Sequence, residues 1–185
     1  MTTKKLSKSV FAASLVALLA TVVSCSNLRG GNSKKAVAQI GATKPTELPG
    51  QGNISFVQKA NEVEMELELT FPSKANQTVA VHIHEHGDCG NAGNDAHGHW
   101  NPTKANHGKW GQGQFHLGDI GNVTLDANGK GKLEMDTNLW TVGTGATNDV
   151  VGKAIMVHEK ADDYITQPTG NAGGRIGCGV IQLSR

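Results

Sequence analysis

Aromatic residues are scarce in this chain: phenylalanine, tyrosine and tryptophan make up 4% of 185 residues, and there is a single tyrosine. Glycine is abundant instead, at 24 residues and without a collagen-like repeat, which favours tight turns and long shaped loops over helices. Charge of one sign is lacking as well. The formal net charge of +1 gives no reason to expect nucleic acid or a generally acidic partner. The apolar run from Val10 to Val23 has signal-peptide length and falls short of the about 20 residues that span a bilayer comfortably. No segment carries a convincing helical period. The length suits one ordinary domain and excludes two large ones.

The start of the chain reads as a targeting segment. Lys4, Lys5 and Lys8 precede the apolar run, which ends in Val22-Val23-Ser24-Cys25. This ending resembles the lipobox of bacterial lipoproteins, in which the cysteine is acylated and becomes the mature N-terminus. The alternative is a plain secretory signal cut near Ser24, with Cys25 incidental. One fatty chain anchors only marginally, so a stable anchor needs several acyl chains on Cys25. Ser26 to Lys35 is almost free of apolar residues and reads as a flexible tether. The expected organisation is a signal peptide over 1–24, a lipidated tether over 25–35 and a folded domain over 36–185. The expected location is the cell envelope, on the periplasmic or extracellular face of a membrane. Removing 1–24 takes away three basic and no acidic residues, leaving 14 basic against 16 acidic side chains. With Cys25 lipidated, Cys89 and Cys178 remain, an even pair suited to an oxidising compartment.

From Ala36 onward the pattern is that of β structure. Val63, Met65, Leu67 and Leu69 alternate strictly with Glu62, Glu64, Glu66 and Glu68, which predicts a strand with one buried and one wet face. Further strands are expected at Ala36–Ile40, Gly52–Gln58, Val79–His84, Gly118–Leu125, Lys132–Thr137, Val151–His158 and Gly179–Leu183. Asn128-Gly129 between two of them is a hairpin signal. About eight strands and no helix favour a β-sandwich or barrel. Two stretches, Gly87 to Gly113 and Glu159 to Gly177, are too long and polar for strands and are expected to be functional loops.

All eight histidines fall between positions 82 and 158. His82 and His84 are two apart on a predicted strand, so both imidazoles share a face, with Val81 and Ile83 on the other. His158 ends a second strand. His97, His99 and His107 lie in the first loop, and His116 stands three residues before Asp119. Each alone is weak evidence, and any one of them could be a surface histidine. Together they can converge on one site, and neutral imidazole and carboxylate are the ligands that copper and zinc accept.

At this point a family resemblance becomes legible. Val81-His82-Ile83-His84-Glu85-His86-Gly87-Asp88, His99-Trp100-Asn101-Pro102, His107-Gly108, His116-Leu117-Gly118-Asp119-Ile120-Gly121-Asn122, Val157-His158-Glu159-Lys160-Ala161-Asp162-Asp163, Gly170-Asn171-Ala172-Gly173-Gly174-Arg175 and Cys178-Gly179-Val180-Ile181 follow one another as in the copper/zinc superoxide dismutases. The chain resembles that family from about Lys35 to the C-terminus. The resemblance implies an all-β, eight-stranded Greek-key barrel or sandwich with two long functional loops. It implies copper on His82, His84, His99 and His158, and zinc on His99, His107, His116 and Asp119, with His99 bridging both metals. It also implies a disulfide between Cys89 and Cys178, an Asp162 that links His82 to His107, and an Arg175 that draws in the anion. His86 and His97 match no ligand position. His86 stands where a hydrophobic residue is common and is either a surface histidine or an accessory copper-capture group.

The activity implied is that of an oxidoreductase. It converts two superoxide anions to oxygen and hydrogen peroxide by Cu(II)/Cu(I) cycling, with His99 as the proton carrier, and so protects the cell envelope. The implied partners are superoxide, a membrane reached through the N-terminal lipid, and a second copy of the chain in a homodimer. Lys104, Lys109 and Lys160 are candidates for anion steering. Two rival readings stand beside it: a non-catalytic copper carrier on the same barrel, and a zinc-stabilised structural lipoprotein. The first leaves Arg175 without purpose; the second leaves His82 and His158 without purpose.

Overall fold

The computed structural model describes residues 1–2 and 33–185. The expected signal segment, Cys25 and most of the tether therefore lie outside the described residues. In chain order the strands are β1 (Lys35–Ala42), β2 (Gln51–Gln58), β3 (Val63–Thr70), β4 (Thr78–His84), β5 (Gly121–Thr124), β6 (Lys130–Thr137), β7 (Ala154–His158), β8 (Arg175–Val180) and β9 (Gln182–Leu183). The only helical pieces among the described residues are two short 3-10 turns, Pro72–Lys74 and Asn91–Ala96. None is long and apolar enough to cross a membrane.

The strands form one antiparallel sheet in the order β5-β4-β7-β8-β1-β2-β3-β6, with β9 added to β1. It curls into a nearly closed eight-strand barrel, as expected, and the connections from β3 to β4 and from β6 to β7 cross over as in a Greek key. Alternation decides the register. On β3, Val63, Met65, Leu67 and Leu69 are buried, while Glu66 and Glu68 are exposed. β2 and β6 pair with β3 along all eight of its residues, from Val63 to Thr70. A one-residue slip would turn every one of these side chains to the wrong face.

Several expectations need correction, among them the strand expected from Val151, which begins at Ala154 after a turn at 151–152. Asn128-Gly129 is a turn, but the strands it joins are not partners: β5 pairs with β4, and β6 pairs with β3. The turn spans the seam where the barrel closes. The last strand was expected to begin at Gly179, yet β8 begins at Arg175 and breaks at Ile181 before β9. Its glycines resemble loop signals but serve packing: a Cβ on Gly179 would stand 2.5 Å from the Gln39 carbonyl oxygen of β1. Finally, β5 begins at Gly121 rather than Gly118, because residues 118–120 turn to bring Asp119 inward.

The barrel interior holds Ile54, Phe56, Met65, Leu67, Phe71, Val81, Ile83, Leu125, Trp140, Ile155, Val157, Ile176 and Ile181, all essentially buried. Burying such a side chain is worth roughly 1.5–3 kcal/mol before entropy is counted, so the barrel is a stiff base. β4 is buried on both faces. Val81 and Ile83 belong to the core cluster, and His82 and His84 point the other way, beneath the long loops that follow β4 and β7. Four of the aromatics, Phe56, Trp110, Phe115 and Trp140, pack against one another beside the histidine loop. Trp140 packs edge-on against Phe56, and its ring lies 4.9 Å from that of Trp110. The indole N–H of Trp140 donates to the Leu117 carbonyl at 2.9 Å, which pins the loop carrying His116.

Candidate metal centre

Strand geometry places three of the histidines. His82 and His84 stand on β4, and β7 pairs antiparallel with β4 through His82↔Met156 and His84↔Ala154, so His158 ends beside them. His99 comes from the loop, held by an isolated antiparallel bridge to His84. Two four-residue donor sets result. His82, His84, His99 and His158 form one; His99, His107, His116 and Asp119 form the other. Within each set the donor atoms lie within 4.8 Å of one another, and every member is buried. Every metal-ligand candidate read from the sequence is thus brought into one of the two sets.

The hydrogen bonds decide which ring nitrogen carries the proton. His84 Nδ1 donates to the His97 carbonyl at 2.8 Å, and His158 Nδ1 to the Gly173 carbonyl at 3.4 Å. His82 Nε2 donates to Asp162 Oδ2 at 2.8 Å. A neutral imidazole has one N–H, so each lone pair falls on the remaining nitrogen. His84 Nε2 and His158 Nε2 therefore face each other with lone pairs at 3.2 Å. That separation is close to the about 3.3 Å between ligand atoms bound 2.0–2.1 Å from a shared tetrahedral centre.

Four buried side-chain atoms among the described residues lack any hydrogen-bond partner: His82 Nδ1, His99 Nε2, His107 Nδ1 and His116 Nδ1. All four belong to the two donor sets. His107 Nδ1 and His116 Nδ1 come within 3.0 and 3.2 Å of Asp119 oxygens without the alignment of a hydrogen bond. Atoms that converge on a common point rather than on each other are what a shared cation requires, and leaving them unpaired costs the full desolvation of each. The residues present fit two metal ions, one set all imidazole and one imidazole with carboxylate.

The electrostatics follow from burial and two carboxylates. Burial lowers His84 and His158 well below the ordinary histidine value, and lowers His99 to about 4 against the pull of Asp119. Burial also pulls on His107, but the Asp119 and Asp162 carboxylates outweigh it and raise His107 to about 9. Burial would raise both aspartates; the surrounding histidines instead hold Asp119 and Asp162 well below the usual carboxylate range.

Asp162 lies between the sets. Its Oδ2 accepts from His82 Nε2 at 2.8 Å and its Oδ1 from His107 Nε2 at 2.9 Å. Gly170 leaves the room for this: at φ +66, a Cβ there would stand 1.8 Å from Asp162 Oδ1. Two residues that sequence reasoning had not singled out complete the frame. Asn122 clamps Asp162 reciprocally, donating from Nδ2 to its carbonyl at 2.9 Å and accepting its N–H at 2.8 Å. Gln167 clamps His107 in the same way, both bonds at 2.9 Å. Side chains that bind the backbone of a distant residue leave no spacing pattern of their own, so although Asn122 closes one of the quoted motifs its role is not readable from the sequence, and nothing there marks Gln167.

The half-buried Arg175 guanidinium donates to the Gly93 and His97 carbonyls. Its positive charge is close enough to help lower His84. Cys89 and Cys178 form a disulfide that joins the histidine loop to β8, with Cα atoms 5.8 Å apart. The bridge spans 89 positions of sequence, for which a chain-entropy argument gives about 4–5 kcal/mol. Of the lysines considered for steering, Lys109 places its ammonium over the Tyr164 ring at 5.6 Å. His86 and His97 lie outside both sets and are exposed.

Comparison with known proteins agrees with this geometry. The sequence profile of copper/zinc superoxide dismutase (SODC) matches residues 50–181. The copper/zinc superoxide dismutase of Paramecium bursaria Chlorella virus 1 is 32% identical over 82% of this chain and 86% of its own length. The extracellular superoxide dismutase of Drosophila melanogaster is 30% identical over 91% of this chain and 95% of its own length. Among solved structures, a double mutant of a SOD-like protein from Bacillus subtilis superposes with a TM-score of 0.68 at 29% identity, covering 77% of this chain and 94% of that one. The clock protein EA4 superposes at 0.71 and 30% identity, covering 83% and 97%.

A barrel of this topology with two histidine-rich donor sets defines a metal-dependent β-barrel oxidoreductase. The chain belongs to the copper/zinc superoxide dismutase family, with superoxide as substrate and copper and zinc as cofactors.

The metal-free protein has a predictable response to acid. His84, His99 and His158 stay neutral in the fold below pH 6.5, where the same residues protonate in the unfolded chain. The unfolded state then binds more protons, so stability falls as pH drops from about 6.5 towards 4. His107, raised to about 9, works on the other side: its contribution is complete below pH 6.5 and is lost as pH rises towards 9. Urea unfolding of chelator-treated protein should show its highest midpoint near pH 6.5–7 and a clear fall by about pH 4.5; a midpoint flat over that acid range would contradict the burial of neutral histidines.

Proposed function

We propose that His82, His84, His99 and His158 hold copper, that His99, His107, His116 and Asp119 hold zinc, and that Arg175 receives the superoxide anion. One observation carries this reading: the His99 ring belongs to both donor sets, with Nδ1 at 2.8 Å from Asp119 Oδ1 and Nε2 buried without a partner on the other side. Copper bound by imidazoles supplies a one-electron couple, whereas zinc supplies none and serves to hold the ring it shares.

The chain's own residues do the rest. Dismutation turns two superoxide anions and two protons into oxygen and hydrogen peroxide. The substrate is a small anion, and the Arg175 guanidinium is a permanent cation. The carbonyls of Gly93 and His97 fix its plane and leave its other N–H groups free to bind an anion. His99 keeps Nδ1 on the Asp119 side, so Nε2 is the atom at which it takes up and releases a proton. Asp162 holds the N–H of His82 and of His107 on Nε2, which points both Nδ1 atoms into the sites, that of His107 being free to bind a cation once it sheds the second proton that the carboxylates favour. A structural arginine and an anion-binding one are compatible here, because the carbonyls use only part of the guanidinium.

The reading extends to location. We infer an exported protein, lipidated at Cys25 and held at a membrane face, that removes superoxide from the cell envelope. The basic and apolar start over 1–24 and the lipobox-like ending support it, as does the Cys89–Cys178 disulfide, since such bonds persist in oxidising compartments. Relatives from Drosophila melanogaster and Caenorhabditis elegans are named extracellular superoxide dismutases. A charged radical crosses lipid poorly, so protection of an outer compartment needs an enzyme placed in it.

His158→Ala should abolish dismutation while zinc content stays intact; retained activity would remove His158 from the copper set. Arg175→Ala should keep both metals yet slow catalysis and weaken its dependence on ionic strength, and an unchanged rate at low and high salt would count against anion guidance. Cys25→Ser should move the protein from the membrane fraction to the soluble one, with unchanged retention defeating the lipid assignment.

A further inference from the structure

Six of the eight histidines are buried in the two donor sets, and His86 and His97 are the two that the reaction does not use. They are far from randomly placed. The bridge His84↔His99 continues outward through the Glu85 N–H, which donates to the Gly98 carbonyl at 3.0 Å. His86 and His97 therefore lie two residues beyond His84 and His99 on the same two segments, where the backbone leaves β4 and bends outward. Their rings are 4.2 Å apart with planes 33° from parallel. Within the four-histidine set, His82 and His99 stand in nearly the same relation, at 4.0 Å and 37°. Both rings of the outer pair are exposed, whereas the four-histidine set lies beneath the loops.

The chemistry of the pair points to a soft or borderline transition metal. Neutral imidazole suits copper and zinc, and a two-imidazole site leaves the remaining positions to water, which makes the ion easy to release. The two sites also share a residue. The His97 carbonyl accepts from His84 Nδ1 at 2.8 Å and from Arg175, so the chain that carries the outer ligand also orients a ring of the buried set.

We propose that His86 and His97 form an exposed copper-capture site, from which the ion passes by ligand exchange to the buried four-histidine set. The transfer half rests on the copper assignment made above; the capture half does not. No electron moves: imidazole lone pairs of the buried set replace those of the outer pair, water takes the vacated positions, and His99, whose Nδ1 lies on the zinc side, gives up its Nε2 proton to water as copper enters.

The full chain, already loaded with zinc and copper, is dialysed against limiting Cu(II). It should bind one further copper per chain, and His86→Gln or His97→Gln should each weaken that binding by about tenfold or more. A loaded protein that takes up no further copper, or variants that bind it as the native chain does, would overturn the capture site. In a second arm, Cu(II) is mixed with zinc-loaded, copper-free protein, and copper entry is followed by visible absorption. His86→Gln should reach the same final copper content more slowly; an unchanged rate would overturn delivery. An error in the buried assignment would show differently, as His158→Ala filling its buried site normally, and would leave the first arm unaffected.

Discussion

One imidazole has to serve two donor sets, and much of the structure is arranged so that it can. His99 must keep Nδ1 near Asp119 and Nε2 near the three other histidines, with no freedom to rotate. The backbone bridge to His84 fixes its position along β4, and the turn at 118–120 brings Asp119 against it. The sets on either side are then tied together by Asp162, which bonds to His82 on one and to His107 on the other. Loss of any one of these restraints would release the ring from a geometry it does not choose for itself.

That arrangement is expensive in the absence of metal. Eight polar side chains, the seven donors and Asp162, are buried, and four of their nitrogens find no partner in the protein. An unpaired buried group costs about 1–3 kcal/mol, so the fold must be held by something else until the ions arrive. The barrel core and the Cys89–Cys178 bridge provide it. The bridge joins the loop that carries most of the site to β8, the strand that begins with Arg175. Metal bound at these sets would convert the unpaired lone pairs into bonds and so couple metal affinity to stability.

The parts that were legible in the sequence are those with a period or a motif. Alternation alone predicted β3 and its glutamate face, and put His82 and His84 together opposite Val81 and Ile83. The crowding of histidines between 82 and 158 pointed to copper or zinc chemistry, and the ordered motifs made the ligand sets specific. What stayed hidden depends on contacts between distant residues. The start of β8, Arg175 to Cys178, was not legible because the glycines around it read as loop, when Gly179 is there to let β1 approach. Asn122 and Gln167 were not legible because each acts on the backbone of a residue 40 or 60 positions away. The pairing of β5 and β6 with other strands, despite the turn between them, follows from barrel closure and not from local sequence.

The central claim is that the two metals share His99, and metal content tests it most directly. Copper and zinc should be measured by elemental analysis on the native chain and on His99→Ala, after equal loading and removal of loosely held ions. The account predicts one zinc and one copper retained in the two buried sites of the native chain, and loss from both sites in the variant. A variant that loses one metal and keeps the other at native affinity would show that the ring is not shared.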